Sequence, residues 1–123
     1  MTQESPRDRA VALFQSWSSQ AIQDIGSESS PNFCTEINDI AMDNVFGRLW
    51  GREGLSRRDR SLVTLGILIA LRATDELKFH VQIARNNGLT EDEIAEVIYH
   101  ASGYAGFPAA NTACKIAREA LGE

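Results

Sequence analysis

Four short polar segments punctuate this chain, and each is a signal for starting a helix. Ser5-Pro6-Arg7-Asp8 puts a capping hydroxyl before a proline at the first helical position, with a carboxylate in the first turn. Ser30-Pro31 repeats the device, Ser56-Arg57-Arg58-Asp59 repeats the cap and the carboxylate, and Thr90-Glu91-Asp92-Glu93 is a full capping box. After every one, apolar residues recur at spacings of three and four, the period of a helix face. No alternation of period two lasts more than a few residues. The expected fold class is all-α, with about six helices.

The helices are expected as follows. The first carries Ala10, Leu13, Phe14 and Trp17 and fades near Asp24, with Gly26 to Ser30 as a loop. The second runs from Ser30-Pro31 to about Trp50, through Phe33, Ile37, Ile40, Met42, Val45 and Phe46. The third runs from Ser56 to about Arg72 and is apolar nearly all round, so it is either central to the domain or shared with another subunit. Thr74 caps the fourth, which ends at Asn86-Asn87-Gly88. The fifth follows Thr90, with Ile94, Val97, Ile98 and Ala101 inward, and Gly103 and Gly106 bracket a break before a last helix from Phe107-Pro108.

Composition narrows the function. At 123 residues the chain has room for one domain of ordinary size, and 43% hydrophobic residues suffice for a core without staples. A net charge of −5 argues against a general nucleic-acid binder, which needs a basic face, but leaves room for a small anion in a local cationic pocket. Cys34 and Cys114 stand 80 positions apart with no C-x-x-C, and the two histidines have no metal-type spacing, so no protein metal site is expected. Both cysteines read as small buried apolar residues. The polar N-terminus lacks a signal-peptide pattern and the longest apolar run, Leu62 to Leu71, is too short to span a bilayer, which gives a cytoplasmic reading and no membrane partner.

The residues with most chemical promise are Glu76 and His80, four apart and therefore on one helix face. A carboxylate beside an imidazole raises its pKa and orients it, giving an acid/base unit; the plainer alternative is a surface ion pair. Leu77, Val81 and Ala84 mark the buried stripe, with Glu76, His80, Ile83 and Asn87 on the adjacent strip, so His80 belongs at the edge of the buried face. His100, three after Val97, is either a second acid/base or a boundary histidine. Of Arg57, Arg58 and Arg60, two read as solvated and one as a possible carboxylate clamp. Tyr99 and Tyr104 read as core residues.

Several blocks in register resemble one family. They are Phe46-Gly47-Arg48-Leu49-Trp50, Gly54-Leu55, Arg60-Ser61-Leu62-Val63-Thr64, Asp75-Glu76-Leu77-Lys78-Phe79-His80, Asn86-Asn87-Gly88, Glu93-Ile94-Ala95-Glu96-Val97-Ile98 and Tyr104-Ala105-Gly106-Phe107-Pro108-Ala109-Ala110-Asn111. Together they resemble the carboxymuconolactone decarboxylase family. The resemblance implies one domain over residues 1–123, with 46–121 as the family core and 1–45 a weaker match, in an AhpD-like helical fold. It also implies a homo-oligomer, trimer or hexamer. The implied activity is cofactor-free decarboxylation of 4-carboxymuconolactone to 3-oxoadipate enol-lactone, in protocatechuate breakdown. The implied alternatives are another small lactone or carboxylate handled by an isomerase, cyclase or hydrolase, and a non-catalytic ligand-binding oligomer.

On that resemblance the catalytic pair is His80 with Glu76, and the substrate-binding residues are Arg60, Arg48, Tyr104, Phe107 and His100. The peroxidase branch of the superfamily carries C-x-x-C before the equivalent His; here Ala73 and Glu76 take those positions, and a Glu cannot replace a thiolate nucleophile. The chain departs from the decarboxylase pattern at Asn44, where His is usual, and at Arg48, where Asp is usual.

Overall fold

The computed structural model describes residues 4–17 and 32–123. Among them there are helices and no strands, so the fold is all-α. The elements are α1 (Pro6–Ser16), α2 (Ile37–Ile40) running directly into a π-helical stretch π1 (Ala41–Leu49), α3 (Arg57–Leu71), α4 (Thr74–Asn86), α5 (Glu91–Ala105) and α6 (Phe107–Ala120). The chain divides into two compact units, the first up to Leu55 and the second from Ser56 to Glu123.

In the first unit, the Ser5 hydroxyl accepts from the Asp8 amide while Asp8 accepts from the Ser5 amide, so the sequence signal makes a complete capping box. The helix ends at Ser16; its expected run toward Asp24, the loop at 26–30 and the Ser30-Pro31 start lie outside the described residues. The expected single second helix is α2 plus π1, whose register is shifted by one residue, as the Trp50 amide donating to the Val45 carbonyl shows. The α1 and π1 helices meet through edge-to-face aromatic rings: Phe14 lies 4.8 Å from Phe46 and Trp17 5.5 Å from Trp50. Gly47 makes the approach possible, because a Cβ there would collide with the Pro6 carbonyl. Cys34 is exposed, with φ of 53°, against the expectation of a buried thiol; Cys114 is half-buried.

The second unit is a four-helix cluster. Its core joins Leu65 and Ile69 of α3, Leu77, Val81 and Ala84 of α4, Leu89 of the turn that follows, Ile94, Ile98 and Ala101 of α5, and five alanines of α6. The alanine-rich face of α6 lets helix axes come close without large side chains between them. Ser56 caps α3 through the Asp59 amide, and Arg72 closes it in the left-handed conformation. Thr74 is not a cap: it sits inside α4, and Ala73 precedes the helix without a side-chain bond. Gly103 does not break α5, since one glycine costs a helix only about 1 kcal/mol. The break is at Gly106, where φ is 98°.

Thr90 and Glu93 exchange the two bonds of a capping box, 3.1 Å and 3.0 Å long. Thr90→Ala is expected to lower the unfolding free energy by about 1 kcal/mol, read from urea denaturation. An unchanged midpoint would show that the box contributes nothing.

Candidate active site

His80 lies on the second turn of α4 and is 8% exposed; with Ser61 it is one of two buried polar side chains among the described residues. The apolar stripe of Leu77, Val81 and Ala84 draws this helix face inward, and His80 and Ile83 follow it. The Phe79 ring lies 5.4 Å from the imidazole, edge-on. Burial pushes the His80 pKa down to about 4, so the ring is neutral at pH 7. That reverses the expected direction, because desolvation outweighs any help from a carboxylate.

Glu76 is exposed, one turn before the buried imidazole. Ser61 is fixed by the Asn87 side chain, which donates to its hydroxyl at 3.0 Å and ties the end of α4 to the start of α3. Sequence reasoning missed this pair. A serine four residues before Leu65, on its buried side, was the available signal.

The other candidates are placed as follows. Arg60 is half-buried on α3, and Arg48 is exposed on π1 in the first unit. His100 and Tyr104 come together on α5, with ring centroids 5.1 Å apart. Tyr104 is 87% exposed, Tyr99 is exposed and Phe107 is exposed at the start of α6. The two tyrosines are therefore not core residues. Tyr99 leaves α5 on the side away from Ile94, Ile98 and Ala101, and among the described residues Tyr104 and Phe107 do not enclose a dry chamber.

A cleft of about 710 Å³ runs along α3 and α5. Leu62, Gly66 and Ala70 form one wall, and Val97, Ala101 and Ala105 the other. Arg58, Glu93, Glu96, His100 and Tyr104 supply its polar groups. Arg58 is the member of the arginine trio that faces a cleft, and it is ion-paired with Glu93. Its phase was legible, four residues before Leu62 and eight before Gly66. His80 does not line this cleft. Among the described residues no cluster of His, Cys, Asp and Glu is arranged to hold a metal ion, and no helix is long and apolar enough to cross a membrane.

The model of the carboxymuconolactone decarboxylase family matches residues 36–119. This chain belongs to that family. It is 42% identical over 92 residues to the 4-carboxymuconolactone decarboxylase of Acinetobacter baylyi, covering 75% of this chain and 69% of the relative. It is 41% identical over 79 residues to a nitrosuccinic acid decarboxylase of Metarhizium robertsii, covering 64% of this chain and 55% of that protein. A third relative is an uncharacterized protein of Paracoccus denitrificans, 38% identical over 80 residues, covering 63% of this chain and 60% of that one. The family match takes in α4 whole, and with it His80 and Glu76.

Proposed function

We propose that this member of the family is a carboxy-lyase whose substrate carries its own electron sink, with 4-carboxymuconolactone as the first candidate. The two named relatives support the reading through what their substrates share. A lactone carbonyl conjugated to a double bond and a nitro group beside a carboxylate both accept the electron pair that departing CO2 leaves behind. The observation that carries the proposal is His80, a buried imidazole held neutral on a helix inside the family match.

The reaction then runs as follows. The anionic substrate binds beside His80 and favours its charged form, so the imidazole takes a proton from water as the substrate enters. The bond from the ring carbon to the carboxylate breaks and CO2 leaves. The electron pair moves through the ring double bond to the lactone carbonyl, giving a dienolate. The imidazolium hydrogen-bonds the developing negative charge and then gives its proton to the carbon next to the carbonyl. His80 returns to neutrality and the enol-lactone departs. Half-buried Arg60 is assigned to a substrate carboxylate, and exposed Glu76 lowers the cost of charging the imidazole from one turn away.

Glu76→Gln is accordingly expected to cost less than about tenfold in kcat/KM. A loss as large as that from replacing His80 would make Glu76 a proton carrier itself. The reading as a whole is tested with freshly generated 4-carboxymuconolactone, following its disappearance by absorbance and CO2 by trapping. Turnover near the common range of about 1–1000 per second is expected. Failure on both the lactone and nitrosuccinate overturns it. A homo-oligomer in solution is part of the same proposal, and the exposed apolar face of α3 supports it.

A further inference from the structure

Every fourth residue of α3 from Arg58 to Ala70 lines the cleft, and so does every fourth residue of α5 from Glu93 to Ala105. Arg58 pairs with Glu93 near the starts of both helices, so the helices run in the same direction and the cleft extends about 18 Å from Arg58 to Ala70. Leu62 and Val97, the bulkiest aliphatic side chains of the lining, stand next to that ion pair. The other half is walled by Gly66, Ala70, Ala101 and Ala105, which carry a methyl group or less.

Gly66 is the telling residue. A Cβ there would meet no described atom within 4 Å, so no close approach among the described residues requires a glycine in mid-helix. Glycine costs the helix about 1 kcal/mol against alanine. What it does is keep the cleft open, since a larger side chain at this position would project into the volume of about 710 Å³. Sites for small organic molecules span about 300–1000 Å³ and have this make-up, apolar walls with a few polar groups at the edge.

Charge identifies the occupant. One guanidinium and two carboxylates line the cleft, and the guanidinium of Arg58 is already bonded to Glu93. Glu96 is left over, exposed and in no ion pair among the described residues. Glu96, His100 and Tyr104 follow one another at intervals of four and form one edge of the cleft along α5. The rings of His100 and Tyr104 lie 5.1 Å apart with 33° between their planes. An aromatic face attracts both a flat ring and a cation.

We propose that the α3–α5 cleft is a second ligand site, separate from His80, for a small aromatic amine whose ammonium group pairs with Glu96 and whose ring lies over Gly66 beside Tyr104. An anionic lactone would meet the unpaired carboxylate there, so His100 and Tyr104 leave the substrate-binding set and the chemistry stays with His80. The inference does not depend on which reaction the protein catalyses.

Saturation-transfer NMR of the full chain, in the assembly it forms, tests it with three probes of one shape. The probes are 2-phenylethylamine, 2-phenylethanol and phenylacetate at pH 7. The amine is expected to bind with a dissociation constant on the order of 1 mM or tighter, the alcohol about tenfold more weakly and the carboxylate more weakly still. Gly66→Leu, which favours the helix, is expected to weaken the amine at least tenfold with far-UV circular dichroism and particle mass unchanged. Glu96→Gln is expected to bring the amine down to the level of the alcohol, and His80→Gln to leave amine binding as in the wild type. Absence of saturable amine binding, the result if a second copy fills the cleft, overturns the proposal. So does tighter binding of phenylacetate, or full amine affinity in Gly66→Leu. Preference for the amine surviving in Glu96→Gln overturns the assignment of the ammonium group. These readouts involve no turnover, so the amine site and the decarboxylase reading stand or fall separately.

Discussion

His80→Gln is expected to reduce kcat for decarboxylation by between about 100- and 10,000-fold, the range that positioned acid/base groups supply. Glutamine retains hydrogen-bonding capacity and approximate volume but cannot carry a proton between water and carbon. The substitution therefore separates proton delivery from simple polarity. Wild-type thermal stability and an unchanged KM would place the loss in the chemical step. Undiminished turnover removes His80 from the mechanism. A pH profile adds a second readout, since a neutral imidazole at the start of the cycle means that proton uptake accompanies substrate binding. The wild-type profile is expected to change shape when the substrate dianion is replaced by an uncharged analogue.

The same burial has a consequence for folding. The His80 pKa is about 4 in the folded chain against 6.5 for an unperturbed imidazole. A depressed folded value means that the unfolded chain takes up the proton first as pH falls. Stability from this group is complete above pH 6.5, declines between 6.5 and 4, and is fully lost below 4. The size is on the order of 3 kcal/mol. Urea midpoints measured at half-unit steps from pH 7.5 to 4 are expected to fall across that window. In His80→Leu, which has no proton to gain, the fall is expected to be smaller by most of that amount. Parallel curves for the two proteins would mean that the imidazole is solvated when the chain is folded.

Helix starts were the most legible part of this chain. Ser5, Ser56 and Thr90 each announced a helix, because a cap is a local bond between a side chain and an amide two or three residues away. Thr74 shows the boundary of that logic: it has the right chemistry, but the chain turns one residue earlier and leaves it inside α4. Gly103 and Gly106 make the same point for helix ends, since both are permissive but only Gly106 adopts positive φ. The π register of Ala41–Leu49 had no local signature, and contact between α1 and π1 at Gly47 is a property of the packed unit.

The candidate site was legible as residues and not as an arrangement. Phase along α4 put His80 at the edge of the buried stripe, and the structure buries it. The pairing with Glu76 suggested by helical spacing gave the wrong sign for the imidazole pKa, because desolvation depends on what other helices cover. Tyr104 and Phe107 are apolar enough for a core and yet exposed, and only the packing of α5 and α6 decides that.

By itself the order of amino acids determined the helical class, most of the helix boundaries in the second unit and the face on which His80 stands. These follow from backbone capping and a period of 3.6 residues, which act within a few positions of chain. Tertiary structure alone decided that His80 is neutral, that Arg58 among three arginines meets a cleft, and that Val63, Ile67 and Leu71 of α3 are left exposed among the described residues. Those outcomes depend on which surfaces exclude water, and water is excluded by neighbours that are distant in sequence.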